Sequence, residues 1–230
     1  MHAPFRQAAV MWEGPDEAAE AGTRQLIDCV HDCAKHEVPV MVCHAYIGFE
    51  DKPHIVTREG LDRYARVLRA AEGTGVTVAF ENTEGEEFLA ALFEHFGDHP
   101  NIGFCWDSGH EACYNHEQDM LARYGRYLCA THLNDNLGVM DYAGHLCPKD
   151  DLHLIPFDGI TDWQAVAARL AATGYDGYLT FELKRRARAG RHENDRYQHI
   201  SLEEYLADCY MGACRVAALV DRARKMQKNA

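Results

Sequence analysis

The sequence predicts an α/β fold in which parallel strands, joined by crossover helices, close into a (β/α) barrel. Three observations lead there. Short apolar runs alternate with amphipathic stretches along the chain, the runs lack the strict alternation of a half-exposed strand, and neither G-x-G-x-x-G nor G-x-x-x-x-G-K-[ST] follows any of them. Strands buried on both faces read as continuous apolar runs, and a strand-then-helix repeat calls for parallel pairing. Without a phosphate-cradling glycine loop, a barrel is favoured over an open doubly wound sheet.

The strands are expected at VPVMVCH (38 to 44), GVTVAFE (75 to 81), NIGFCWD (101 to 107), RYLCATH (126 to 132) and GYLTFE (177 to 182). Leu26, Ile27 and Val30 mark a first helix. Leu61, Tyr64, Ala65 and Leu68 mark a second, and Phe88, Leu89, Leu92, Phe93 and Phe96 a third that stops at Gly97. Thr161-Asp162-Trp163-Gln164 reads as a capping box for a helix running through Val166 and Leu170 to Gly174, and Ser201-Leu202-Glu203-Glu204 opens the last long helix. No linker or low-complexity segment interrupts the pattern, so residues 1–230 read as one domain.

Composition narrows the function. The 230 residues are 47% hydrophobic and carry a formal charge of -13, which disfavours nucleic acid and anionic membranes as partners. No apolar run is long enough to span a bilayer and the start lacks a signal-peptide pattern, so a cytoplasmic location is expected. Nine Cys without a C-x-x-C pair imply reduced thiols, with Cys29 and Cys33 packed on one helical face.

The main signal is where the apolar runs stop: His44, Glu81, Asp107, His132 and Glu182. In a parallel barrel the carboxyl ends of all strands open on one face, so these side chains converge. Glu81, Asp107, His132 and Glu182 form a hard, oxygen-rich set with one imidazole, suited to Mn²⁺, Mg²⁺ or Co²⁺, with Zn²⁺ also admissible. Such an ion acts as a Lewis acid on neighbouring oxygens of a polyol, while glutamates move protons at carbon.

With these residues in place, the chain resembles the xylose isomerase-like TIM barrel superfamily. The resemblance rests on His2-Ala3-Pro4, VCHA at His44, FENTEG at Glu81, WDSGH at Asp107 and His110, THLND at His132 to Asp135, DLHLIPFDG at Asp151 and His153, and TFEL at Glu182. It implies metal ligation by Glu81, Asp107, His132 and Glu182, with Glu81 and Glu182 also the acid/base pair. His110 would bind substrate oxygen or orient a ligand, and His44 and His153 would join it around the substrate. The implied activity is that of a metal-dependent sugar or sugar phosphate isomerase/epimerase, transferring a proton next to a carbonyl through a metal-stabilised enediolate. One departure counts against ketose 3-epimerase activity in particular: LNDNLGVMDY, after His132, lacks the family's Arg.

The superfamily also holds zinc-dependent apurinic endonucleases, whose metal pattern extends to the positions of His2, His44, His110, Asp151 and His153. That makes a zinc phosphodiesterase the second reading, opposed by the charge of -13. A degenerate, non-catalytic barrel is the third. The basic stretch KRRARAGRHENDR (184 to 196) directly follows Glu182, at the rim where such barrels hold phosphate. Lys184 and Arg186 are its candidate contacts to an acidic substrate. The stretch from Asn134 to Pro156, with Asp141, His145, Lys149 and Asp150, is long enough for a lid or a partner contact. Trp12 and Trp106 are candidates to face a sugar ring, with burial the competing reading for Trp106.

Matched to the family, the strand ends begin with its second strand at His2, so the expected barrel lacks the first β/α unit. A late start, a seam closed by a second copy in a homo-oligomer, and a degenerate relative all account for that.

Overall fold

The computed structural model describes residues 1–49, 53–115, 118–138 and 148–228, so Asp141 and His145 of the expected lid lie outside the described residues. The chain divides into two compact units, Met1–Cys105 and Trp106–Ala230.

In the first unit, α1 (Glu17–Lys35), β1 (Val40–His44), α2 (Arg58–Ala71), β2 (Thr77–Glu81), α3 (Glu86–Phe96) and β3 (Ile102–Asp107) follow the predicted alternation. β3 continues across the unit boundary. β1 pairs with β2 and β2 with β3, both parallel, in a register that sets His44 beside Glu81 and Glu81 beside Cys105. The amino-terminal residues add to the edge of β1: Ala3 N donates to Val42 O at 2.8 Å and Val42 N to Met1 O at 2.8 Å, which places His2 next to β1 in parallel. Val78, Ala79, Phe80, Phe104 and Cys105 are fully buried, as the unbroken apolar runs require.

Asp16 caps α1 by accepting from Ala18 N at 2.7 Å, and Thr57 caps α2 by accepting from Gly60 N at 3.1 Å. Gly60 also makes room for the indole of Trp12, onto which a Cβ there would fall. Beside it the buried Arg63 donates to the carbonyls of Met11, Glu13 and Gly14 at 2.8, 2.6 and 2.8 Å. This guanidinium supplies donors that the irregular stretch before α1 lacks, and so holds it against α2.

The second unit contains α4 (Ser108–Cys113), α5 (Met120–Tyr124), β4 (Leu128–His132), α6 (Trp163–Ala172), α7 (Asp195–Gln198) and α8 (Leu202–Lys228). Here the predicted segment GYLTFE departs from a regular parallel strand. GYLTFE makes only an isolated parallel bridge, Phe181 to Leu133. Leu133 N donates to Thr180 O and Glu182 N to Leu133 O, but Thr180 N donates to the hydroxyl of Thr131, at 2.9 Å. A side chain thus takes the amide that a ladder carbonyl would have received, and the pairing stops after one bridge. Near His153, whose φ of 53° is left-handed, Leu154 pairs antiparallel with Asp135.

Asp162, and not Thr161, caps α6, accepting from Gln164 N and Ala165 N at 3.0 and 3.1 Å. Thr161 N is taken by Asp135, whose buried carboxylate also accepts from Asn136 N, Phe157 N and the Trp163 indole at 2.8, 2.8 and 2.9 Å. The Ser201 box forms as predicted: Glu204 N donates to Ser201 Oγ at 3.1 Å and Ser201 N to Glu204 Oε2 at 2.8 Å. No disulfide joins the described cysteines, and no described helix is long and apolar enough to cross a membrane.

Candidate metal centre

In the first unit, His2, His44 and Glu81 are brought together by the parallel register of the segments that carry them. The Nε2 atoms of His2 and His44 each lie 3.3 Å from Glu81 Oε2, and their rings meet edge to face at 5.0 Å. Glu81 is fully buried, and Phe5 stacks on the His44 ring at 4.8 Å.

In the second unit, Asp107, His132 and Glu182 each offer one ligand atom within 4.8 Å of the others. Asp107 stands at the end of β3 and caps α4, accepting from His110 N at 2.8 Å. His132 ends β4, and its Nδ1 lies 3.2 Å from Glu182 Oε2. The side-chain amide of Asn134 donates to both Asp107 oxygens, at 3.1 and 3.2 Å. Asn134 is itself fixed through its backbone, which exchanges hydrogen bonds with the Ser108 hydroxyl at 2.9 and 3.0 Å. Gly109 explains the glycine in D-S-G-H: a Cβ there would fall on Asn134 Oδ1. Asn134 is a site residue that sequence reasoning missed, because nothing in THLND marks its amide as the partner of Asp107.

His110, Asp151 and His153 form a second buried group in the same unit, again with ligand atoms within 4.8 Å. His153 Nε2 lies 2.7 Å from Asp151 Oδ2, and His110 Nε2 lies 3.7 Å from Asp151 Oδ1. Lys184 reaches Asp151 at 3.5 Å, and Arg188 pairs with the same carboxylate. Burial would raise the Asp151 carboxyl, but the imidazoles of His153 and His110 and the Lys184 ammonium hold it well below the usual carboxylate range. Burial and the nearby Arg188 pull Lys184 below the usual lysine range, although Asp151 opposes them.

The donor chemistry fits a divalent cation. Carboxylates and an imidazole converge at Asp107, His132 and Glu182, and the Oδ1 atom of Asn134 is a buried acceptor without a hydrogen-bond donor among the described residues.

The basic stretch is largely spent on internal contacts. Arg185 donates to Tyr197 O and Ile200 O, Arg191 to Asp150 at 2.9 Å, and Arg196 pairs with Asp158 at 2.5 Å. Arg186 is exposed. Trp106 is buried as its competing reading held, its indole donating to Glu111 at 3.0 Å while Arg169 bridges Glu111 and Asp119. Trp12 is buried too, with its indole on Ala45 O at 2.7 Å.

Residues 1–203 match the sequence profile described as Xylose isomerase-like TIM barrel, and the chain belongs to that family. Its fold is the α/β TIM barrel predicted from the alternating runs. An uncharacterised protein of Sinorhizobium fredii, y4fM, is 36% identical over 144 residues, covering 62% of this chain and 40% of that protein. The match therefore spans less than half the length of the curated relative. Among solved structures, IolI with a bound zinc atom superimposes with a TM-score of 0.67 at 18% identity, covering 91% of this chain and 73% of that one. D-psicose 3-epimerase of Clostridium cellulolyticum H10, solved with D-tagatose, gives 0.66 at 16% identity over 95% and 77%. At such identities these likenesses establish the fold.

Proposed function

We propose that this chain, read as one domain, is a metal-dependent sugar or sugar phosphate isomerase/epimerase. The observation that carries the reading is the convergence of Asp107, His132 and Glu182, with Asn134 bracing Asp107. The family pattern adds Glu81 as the fourth ligand. A bound Mn²⁺, Mg²⁺, Co²⁺ or Zn²⁺ would supply Lewis-acid polarisation of a carbonyl and its neighbouring hydroxyl.

The chain's own groups do the rest. Glu182, whose side chain is 39% exposed, takes a proton from the carbon beside the carbonyl, and Glu81 serves the opposite face. His132, against Glu182, keeps that carboxylate oriented. His44, His110 and His153 contact substrate oxygens, and Lys184 and Arg186 meet an acidic group where the substrate has one. The sugar epimerases among the structural neighbours support the substrate class.

Metal content and stoichiometry of the purified protein test the reading. One divalent ion per chain, lost in Glu182→Gln together with turnover of a sugar, is the expected result; retained turnover in that variant rejects it. The His110, Asp151 and His153 group favours a second reading, a zinc phosphodiesterase on abasic DNA. Three zinc ions per chain with cleavage of such DNA would establish it. Lys184 and Arg188 already neutralise Asp151, which weighs against an ion there. Purified protein that retains no metal would favour the third reading, a degenerate, non-catalytic barrel.

A further inference from the structure

We infer that the cavity beside the His2, His44 and Glu81 cluster is a subsite for an aryl or other apolar group attached to the sugar. The inference rests on the reading above and narrows its substrate to a keto sugar that carries such a substituent, for which simple glycosides serve as unreactive binding probes.

The cavity measures about 600 Å³, within the range of roughly 300 to 1,000 Å³ typical of small-molecule sites. Its walls come from the two segments that leave the histidine pair, residues 6–14 after His2 and residues 46–49 and 53–57 after His44. Trp12, Tyr46, Phe49, Ile55 and Phe88 give it an aromatic and aliphatic lining, and Arg6 and Glu13 supply its charges. Tyr46 stacks on Phe88 at 4.4 Å, and Trp12 meets Phe88 at 4.7 Å.

Polar clamps tie these walls to one another and to the elements behind them. Arg63 fixes the carbonyls of Met11, Glu13 and Gly14, and Thr57 Oγ1 donates to Trp12 O at 2.6 Å. On the other wall, Thr83 Oγ1 donates to Tyr46 O at 2.8 Å and Gly48 N to Glu84 Oε1 at 2.5 Å. Ile55 is 62% exposed at the cavity, and Phe5, which joins the His44 ring to Arg6, is 39% exposed. A preformed apolar cleft, lined by segments that start two residues past His44 and beside the Phe5 ring stacked on it, matches a ligand with one polar end and one apolar end.

The test compares 4-nitrophenyl with methyl β-D-glycosides of glucose, galactose and xylose, by calorimetry on the purified protein with Mg²⁺. For at least one sugar the aryl partner should bind about tenfold more tightly. Ile55→Glu should erase that preference, while Ile160→Glu, at an exposed site in the second unit, should keep it. Equal affinities across the panel, including no detectable binding of either partner, overturn the proposal, as does an Ile55→Glu protein with an unchanged preference. The two readings fail separately. An aryl preference without any sugar turnover counts against the isomerase, whereas turnover of an unsubstituted sugar with equal affinities counts against the subsite.

Discussion

The side-chain amide of Asn134 spans both carboxylate oxygens of Asp107, 3.1 and 3.2 Å away, and thereby sets the plane in which that carboxylate faces its neighbours. Removing such a support typically costs 10- to 100-fold in metal affinity. Asn134→Leu should therefore weaken divalent-ion binding by about that factor with little change in circular dichroism. Gly109→Ala, whose methyl group displaces the same amide, should reproduce the effect. Titration with Mn²⁺ measures both.

Glu182 sits 3.2 Å from His132 and remains accessible to a ligand. Glu182→Gln weakens the metal site and also removes the proton acceptor, so turnover should stay about 10² to 10⁴ lower even where Mn²⁺ is saturating, the usual worth of general base catalysis. Asp107→Asn, in contrast, should act mainly through lost metal. Measuring turnover at saturating Mn²⁺ separates the two.

Tyr197 gives the fold an alkaline limit. Burial, aided by its hydrogen bond to Asp158 at 2.7 Å, pushes its phenol up to about 12. A folded value above the unfolded one means that the stabilisation is complete below about pH 10 and lost as pH rises through 12. Urea midpoints should fall between those values, and Tyr197→Phe should flatten the slope. Tyr205, raised in the same direction by burial, will leave a residue of it at the highest pH.

Asp135 accepts from three backbone amides and the Trp163 indole while fully buried. Asp135→Ala strands all four donors, at a cost of about 3 kcal/mol or more. A lower urea midpoint with an unchanged m-value is the expected readout.

The strand ends at His44, Glu81, Asp107 and His132 were legible because an apolar run that stops at a polar residue records both burial and exit at a sheet end. GYLTFE was not, since its pairing is cut short by a Thr131 hydroxyl 49 residues upstream, which no local pattern encodes. The same limit hid Asn134 and the cap at Asp162, where Asp135 draws Thr161 away from the role that the local spacing offered it. The basic stretch read as free charge, yet most of it meets acidic side chains and carbonyls from elsewhere in the chain. Local spacing reveals what a residue can do; only tertiary placement reveals which partner reaches it first.

Arg63 grips three carbonyl oxygens and so does not depend on which side chains occupy positions 11, 13 and 14. The spacing of that cavity wall is written in a helix, while its chemistry is written in a loop. Substitutions at Glu13 can therefore change what the wall attracts without moving it. Such an arrangement is evolvable: a lineage can exchange one ligand preference for another while a single buried guanidinium preserves the frame.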